Sequence, residues 1–427
     1  MYYNVTDYGI VGDGKTNNTV AINDLTKRLA DKGGTLYFPP GEYVSGSIFL
    51  YSNMTLLLDG GATILGSTCM DDFPFIELEG FGRNGRHGLI SALKARNVRI
   101  TGGKIDGRGK FWWESGKSDY ERPRTINPIL CRDVSITDII IENSPCWTVH
   151  PLCCENVTIR GVSIYNPYDS PNTDGINPES CRNVRISDCH IDVGDDCVTV
   201  KAGMELEPLM RERACENIII TGCTMAHGHG GVVIGSEMSG GVKNISVSNC
   251  VFQNTDRGIR IKTRRKRGGS VVGASFSNIL MENVGAAITM NQYYGCVCGE
   301  FPFPPEILFD EGAQPVDAFT PRFSDIHIHS ILARGVRGVG IYLYGLPESP
   351  IENVTISNVS LQIEGCQTDF EPVMAYKKIS CNGEGIVIEN AEHIAMQGVN
   401  LHCKKEPLTF KNAKHVTLDG KLLDSYI

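Results

Sequence analysis

Long apolar runs are missing from this 427-residue chain, and so are long runs of the helix formers Leu, Ala, Glu and Lys. The first absence predicts that no helix crosses a membrane. The second, together with 47 glycines, favours strands and tight turns. The first residues also lack a basic segment followed by an apolar one, which predicts a cytoplasmic protein, or a secreted one if a leader has been removed.

Excess positive charge is missing too, because 40 Lys and Arg face 49 Asp and Glu, a net charge of -9. Nucleic-acid binding is therefore not expected, and a polyanionic substrate would need a local basic patch. The 16 cysteines show no compact disulfide framework, which favours free thiols that fill a core in a reducing compartment. The pairs Cys153/Cys154 and Cys296/Cys298 have no His or Cys partner at a metal-binding spacing, so we expect no metal.

What the chain does contain is a repeat, in which an Asn, Asp or His is followed by Val or Ile, any residue, and another apolar residue. The intervals between copies range from about 22 to 47 residues, which is typical of a solenoid with loop insertions. The markers are Asn97, Asp133, Asn156, Asn183, Asn217, Asn244, Asn278, Asp325 and Asn353, with degenerate copies at His393 and His415.

Each repeat has room for two or three short strands, so we predict an all-β fold, a single-stranded right-handed parallel β-helix. We expect one catalytic domain over residues 1–427, with residues 1–50 as N-terminal cap and first turn. A short amphipathic helix within residues 19–31 would carry the cap. The marker residues would form a ladder inside the solenoid, and the cysteines would stack in core columns. Three insertions, 107–127, 203–213 and 295–322, would decorate the binding face.

Polar residues recur at fixed distances from the markers. Asp195 lies 12 residues after Asn183, and His229 lies 12 after Asn217. Asp174 and Lys262 each lie 18 after a marker, and Arg260 and Tyr294 each lie 16 after one. We therefore expect successive turns to present these side chains on one face. Adjacent strand residues face opposite ways, so Asp195 and Asp196 can both reach that face only if the chain bends at Gly194.

These groups suit glycoside hydrolysis, in which an acid protonates the leaving oxygen and a carboxylate activates water. Asp174, Asp195 and Asp196 can divide this work because clustered carboxylates resist joint ionisation. His229 would hold or tune the acid. Arg260 and Lys262 alternate along a strand and so point the same way, as a receptor for an acidic sugar would require. The basic run at 264–267 is either a solvated loop or a further attraction for a polyanion.

The chain resembles glycoside hydrolase family 28, the polygalacturonases, most closely the exo-acting bacterial type. The resemblance lies in N-T-D-G at 172–175, G-D-D-C at 194–197, G-H-G at 228–230, R-I-K at 260–262 and the tyrosine of N-Q-Y-Y. One departure is Asn177, where the family often has Asp. The resemblance implies inverting hydrolysis of α-1,4-galacturonosyl bonds without cofactor or metal. It implies catalytic residues Asp174, Asp195, Asp196 and His229, and substrate-binding residues Asn172, Gly230, Arg260, Lys262 and Tyr294.

By that analogy Asp195 is the general acid, while Asp174 and Asp196 activate the water. The expected partner is an acidic galacturonan chain, and the oligomeric state is left open. Insertions 107–127 and 295–322 would close one end of the groove, which favours exo action from the non-reducing end. The alternatives are an endo-acting hydrolase, a calcium-dependent pectate lyase, and a non-catalytic polysaccharide-binding solenoid.

Overall fold

The computed structural model describes residues 1–76, 78, 85–205, 207–296, 303–308 and 310–423. Parts of insertions 203–213 and 295–322, and Cys298, lie outside the described residues. Contacts divide the chain into two compact units, Met1–Cys197 and Val198–Ile427, here called unit 1 and unit 2. The single domain over residues 1–427 stays a prediction. Among the described residues, no helix has the length and apolarity that a membrane span requires.

Unit 1 is built from short strands with two helices. In chain order they are β1 (Tyr2–Asn4), β2 (Asp13–Asn17), α1 (Thr19–Arg28), β3 (Gly34–Phe38), β4 (Gly41–Ser45), β5 (Ile48–Leu50), β6 (Met54–Leu58), β7 (Ala62–Gly66), β8 (Ile90–Leu93), β9 (Arg96–Thr101), β10 (Lys104–Asp106), α2 (Gly109–Trp113), β11 (Ile126–Ile129), β12 (Arg132–Thr137), β13 (Ile140–Glu142), β14 (Glu155–Arg160), β15 (Ser163–Tyr165), β16 (Arg182–Ser187) and β17 (His190–Asp192). The next strand, β18 (Asp196–Val200), begins in unit 1.

Unit 2 has longer strands. Helix α3 (Pro208–Arg211) precedes them. In chain order the strands are β19 (Cys215–Thr221), β20 (Thr224–His227), β21 (Gly230–Gly235), β22 (Val242–Gln253), β23 (Arg257–Lys262), β24 (Ser270–Glu282), β25 (Ala286–Asn291), β26 (Arg322–Val336), β27 (Val339–Tyr344), β28 (Ile351–Ile363), β29 (Glu384–His402), β30 (Leu408–Leu418) and β31 (Lys421–Leu422). Short 3₁₀ turns occur at Val5–Tyr8, Met70–Asp72 and Pro305–Leu308.

Strands of successive turns pair in parallel columns. In unit 1 one column contains β3, β6, β9, β12, β14 and β16, and a second contains β4, β7, β10, β13, β15 and β17. A third begins with β5, β8 and β11. In unit 2, β21, β23, β25, β27 and β29 form one such column. The predicted all-β, right-handed parallel β-helix is confirmed.

Helix α1 covers the edge of β5, the first strand of the third column. Its Asn23 side chain accepts a hydrogen bond from the amide of Phe49 (3.0 Å) and donates one to the carbonyl of Ser47 (2.8 Å). These bonds satisfy backbone groups that an edge strand would otherwise leave open. Ile22 and Leu25 are buried, as expected for the apolar face, whereas Val20 is 74 % exposed and does not belong to it.

The marker residues form a ladder, but it lies on the outside of the solenoid. Their φ angles are positive, 57° at Asn156 and 59° at Asn183, a left-handed conformation that Asn and Asp tolerate best. Asn183 donates to Asn156 (3.2 Å), which donates to Asp133 (3.0 Å). The predicted inside ladder is therefore wrong. The markers turn the chain at an outer corner, and the apolar residues after them fill the core.

The cysteine columns are confirmed as core. In unit 1 the amide of Cys131 donates to the sulfur of Cys154 (3.4 Å), and the amide of Cys154 to that of Cys181 (3.3 Å). All three side chains are buried, and no cysteine in the described part of the chain forms a disulfide. Stacked thiols act here as small apolar residues that fit the narrow turns.

One marker is misplaced by the sequence count. In the pairing of β22 with β24, Ala274 lies opposite Ile245, so Gly273 follows Asn244 in the ladder. Asn278 instead stacks on Asn249, to which its amide donates a hydrogen bond of 2.6 Å. The ladder that contains Asn244 and the one that contains Asn249 have the same pattern of Asn followed by an apolar residue, because both lie at corners with positive φ. The sequence alone cannot tell one corner of the turn from the other.

Candidate active site

Three predicted acids meet in unit 1. Asp174 precedes a segment that extends the third column, since Ile176 bridges to Val149 in parallel. The amides of Gly175 and Ile176 donate to the carbonyls of Asp196 and Cys197, at 3.0 and 2.9 Å. One carboxylate oxygen from each of Asp174, Asp195 and Asp196 lies within 4.8 Å of the others. Stacking of consecutive turns therefore brings together acids that are 21 residues apart in sequence.

The bend predicted before Asp196 is present. The chain bends at residues 194–195, and β18 begins at Asp196. A Cβ at Gly194 would collide with the carbonyl oxygen of Ser170 and lie 2.7 Å from that of Pro167. Gly194 is thus required for space, since a side chain would clash and the backbone at this glycine is not left-handed. The bend allows two adjacent aspartates to reach one site.

The acids differ in their surroundings. Asp174 and Asp196 are buried, at 4 % and 1 % exposed, while Asp195 is half-buried and accepts the amide of Asp196 at 2.8 Å. Burial, followed by the negative charge of Asp196, raises the pKa of the neighbouring Cys197 thiol well above its ordinary value. The thiol therefore stays neutral beneath the acids. The most accessible acid is the one predicted to protonate the leaving oxygen.

Asn177 is bonded to this cluster and was noted in the sequence only as a departure from the family pattern. Its amide donates to Asp174 Oδ2 at 3.0 Å. An amide that donates to a carboxylate favours the ionised carboxylate. The Asn177 side chain is fully buried, and its Oδ1 has no hydrogen-bond partner among the described residues. Asn177 therefore positions Asp174 and favours its charged form.

A second polar pair in unit 1 was missed by sequence reasoning. His150 Nε2 lies 2.8 Å from Glu179 Oε2, and both side chains are buried. The backbone carbonyl of His150 accepts a hydrogen bond of 2.7 Å from the side-chain amide of Asn127. Because Val149 pairs with Ile176, His150 lies opposite Asn177 in the column. A strand of the form T-V-H-P offers no signal that its histidine meets a glutamate 29 residues later.

Insertion 107–127 is tied to the site through Arg122. This arginine is 3 % exposed and donates to the carbonyls of Pro145 (2.9 Å) and Pro171 (2.8 Å) and to Asn172 Oδ1 (2.6 Å). The amide oxygen of Asn172, a predicted substrate-binding residue, is thus held by protein. Insertion 107–127 fixes the segment that leads into Asp174.

Unit 2 carries the predicted cations. Arg260 and Lys262 lie on β23, opposite Val233 and Gly235 of β21. They are 2 % and 6 % exposed, and each points over the ring of Tyr294, at 5.5 and 5.0 Å from its centroid. His229 is half-buried and directly precedes β21, whose first residue is Gly230. The structure thus groups Arg260, Lys262 and Tyr294 as expected.

Tyr294 lies near Arg260 and Lys262, but not at the position that the count from Asn278 predicted. Counting from Asn278 places it in the column of Arg260, but that position belongs to Thr289. Tyr294 lies beyond the end of β25, where it bridges to Ala375. The count is wrong because Asn278 marks a different corner. The aromatic ring still faces both cations.

The three arginines of the basic run at 264–267 are neither solvated nor available to a substrate. Arg264 and Arg267 are 0 % and 1 % exposed and share Glu205, at 2.8 and 3.1 Å. Arg265 pairs with Glu348 (2.6 Å) and donates to the carbonyl of Gly312 (2.9 Å). Both readings of this run are corrected, because its arginines anchor the neighbouring loops.

Comparisons with known proteins decide the family. A family model described as glycosyl hydrolases family 28 matches residues 63–381. The chain belongs to this family. It is therefore a glycoside hydrolase, and the acid cluster lies within the matched residues. A probable polygalacturonase of Vitis vinifera is 36 % identical over 376 residues, 84 % of this chain and 74 % of the relative.

Solved structures of polygalacturonases have the same fold. An exopolygalacturonase from Thermotoga maritima matches with a TM-score of 0.76 and 27 % identity, covering 94 % of this chain and 92 % of that one. A polygalacturonase from Erwinia carotovora matches with a TM-score of 0.68 and 28 % identity, covering 82 % and 92 %. The first of these enzymes is named for exo action and the second is not.

Proposed function

We propose that the chain hydrolyses α-1,4-galacturonosyl linkages of polygalacturonate and oligogalacturonides, and that it removes single units from the non-reducing end. Family membership, the similarity to polygalacturonases and the three clustered acids support the hydrolysis. The buried cations on β23 support an acidic sugar, since a guanidinium and an ammonium bind carboxylates. The substrate is thus a galacturonan, a partner of opposite charge to these side chains.

In the proposed mechanism Asp195 protonates the glycosidic oxygen, and Asp174 and Asp196 hold and deprotonate the attacking water. The buried Asp174, which accepts a hydrogen bond from Asn177, suits the role of base, and the more accessible Asp195 that of acid. His229 supports Asp195. Arg260 and Lys262 bind the sugar carboxylate, Tyr294 lines that subsite, and Asn172 and Gly230 complete the binding set. These roles require no metal or cofactor.

Exo action is supported mainly by a loop in unit 2, residues 364–383, here called the covering loop. It connects β28 to β29 and lies against β23 and β25. Asn291 donates to the carbonyl of Val373 (2.6 Å), and Gly295 to that of Met374 (2.8 Å). The sulfur of Met374 accepts a hydrogen bond from Arg260 Nη2 at 2.9 Å.

Beyond Arg260 the same face of the solenoid is filled. The next positions in its column are Thr289 and Tyr342, and Tyr342 is 3 % exposed in a cluster with Tyr293, Tyr344 and Val373. Phe370 of the covering loop packs on this cluster. A polymer that threads through an open groove would need this space. A blocked groove next to the carboxylate receptor instead favours binding of a chain end.

Product analysis tests the proposal. Purified protein is incubated with oligogalacturonides of defined length, and the earliest products are read by NMR and chromatography. We expect galacturonate monomer from the first time point, released as the β anomer because water attacks opposite the α bond. A ladder of oligomers would contradict exo action, the α anomer would contradict inversion, and an unsaturated, UV-absorbing product would contradict hydrolysis.

A further inference from the structure

The last two turns of unit 2 carry histidine at the outer corner where other turns carry Asn or Asp. Parallel pairing of β28 with β29 and of β29 with β30 places Asn353, His393 and His415 at successive positions. Both histidines keep the left-handed conformation, with φ of 57° and 53°. The corner geometry is therefore unchanged, and only the side chains differ.

The two imidazoles are aligned by this stacking. Their ring centroids lie 4.7 Å apart with an interplanar angle of 8°. Glu392 Oε1 lies 3.6 Å from Nε2 of His393 and 4.0 Å from Nε2 of His415. One ligand atom from each of the three residues lies within 4.8 Å of the other two. Two nitrogens and one carboxylate oxygen thus lie close together at the surface.

Imidazole nitrogen and carboxylate oxygen are ligands that zinc prefers, and three protein ligands with water in the remaining position make a common zinc site. In a tetrahedral site with bonds of about 2.0–2.1 Å, ligand atoms lie about 3.4 Å apart. The two carboxylate–imidazole distances therefore need to contract by about 0.2 and 0.6 Å, and the distance between the two imidazole nitrogens by at most about 1.4 Å. Both histidine side chains are 56 % exposed, so small rotations can bring the nitrogens together.

We propose that Glu392, His393 and His415 form a Zn²⁺ site that links β29 to β30 and stabilises the last turns of unit 2. The site uses none of the residues of the proposed catalytic mechanism, so the inference does not depend on the proposed function. The bound ion would join neighbouring turns through side chains, in addition to their backbone hydrogen bonds.

Titration calorimetry with ZnCl₂ on chelator-treated full-length protein tests this site. We expect one Zn²⁺ per chain and a zinc-dependent rise in the melting temperature. His393→Asn and His415→Asn restore the residue type of the other turns, so they keep the corner while removing the ligand. Each variant, and Glu392→Gln, should bind zinc at least tenfold more weakly and lose the zinc-dependent melting shift. Hydrolytic activity should be the same with and without zinc.

A second exposed histidine pair supplies the control. His327 and His329 lie on one face of β26, beside Ser275 and Thr355 for the first and Ser277 and Ser357 for the second. The variant His327→Thr, His329→Ser takes the residues of adjacent turns and should bind zinc like the wild type. The proposal is overturned if the wild type binds no zinc, if the Asn variants bind it equally well, or if binding is lost only in this control.

Discussion

The hydrogen bond from Asn177 to Asp174 connects a single amide to the charge state of the proposed base. The amide is fully buried and donates at 3.0 Å. A hydrogen bond to a charged group contributes about 1.5–3 kcal/mol. Its loss would leave Asp174 less well oriented and its ionised form less favoured. The effect belongs to the chemical step, because Asn177 is too deeply buried to touch a substrate.

Asn177→Ala should therefore lower kcat/KM on oligogalacturonides by about 10- to 100-fold, with the loss mainly in kcat. Steady-state kinetics measures this. Asn183→Ala, in the outer ladder of the same unit, is the control: it should reduce the melting temperature without a comparable loss of kcat. Equal kcat in Asn177→Ala and wild type would show that the amide has no role in catalysis.

Residue identities at the site could be read from sequence only where the chemistry is local. The motif at 194–197 places two acids next to each other, and the count from the markers aligns Asp195 with His229. The burial of Arg264, Arg265 and Arg267 could not be read in this way, because their partners Glu205 and Glu348 lie 59 and 83 residues away. A charge run alone gives no information about distant counter-charges.

At the scale of elements, the covering loop is held by Arg257 of β23. This side chain is 4 % exposed, donates to the carbonyls of Pro372 (3.0 Å) and Glu371, and lies over the ring of Phe370 (5.1 Å). The planar guanidinium satisfies several loop groups at once. Removing it leaves backbone carbonyls without a donor and releases the loop from the face of the solenoid.

Arg257→Leu should open that face. We expect oligomers to appear beside galacturonate in the product profile, and KM for short oligogalacturonides to rise several-fold. Chromatography of early products measures this, and circular dichroism checks that the variant is folded. Arg334→Leu, an exposed arginine of β26, should leave the products unchanged. A folded Arg257→Leu enzyme with wild-type products would contradict the assignment of exo action to the covering loop.

Strands were easier to predict than the loops that shape the site. Each marker and its apolar neighbours form a local pattern that repeats in sequence, so the columns could be predicted from it. The covering loop has no such pattern, and its contacts with Arg257 and Arg260 span about 114 residues. From the sequence we predicted that insertions 107–127 and 295–322 close the groove. That prediction did not include residues 364–383.

The repetition of similar turns along the whole molecule explains why the fold class could be inferred from a single sequence. Every turn packs mainly on its neighbours, so the same local solution recurs along the chain. The ambiguity lies between corners of one turn, as the misplaced Asn278 demonstrates. A net charge of -9 also means that binding of a polyanion depends on a few cations at the site, such as Arg260 and Lys262, rather than on the general field of the protein.

In the proposed mechanism, the three acids of unit 1 hydrolyse galacturonan with Asp195 as proton donor. The most direct measurement is reducing-sugar release from polygalacturonate by wild type and Asp195→Asn, with Asp188→Asn, an exposed acid of unit 1, as the charge-matched control. General acid catalysis contributes about 10²- to 10⁴-fold. We expect a loss of that size in Asp195→Asn with substrate binding retained, and wild-type turnover in Asp188→Asn. Wild-type turnover in Asp195→Asn would contradict the role of Asp195 as proton donor.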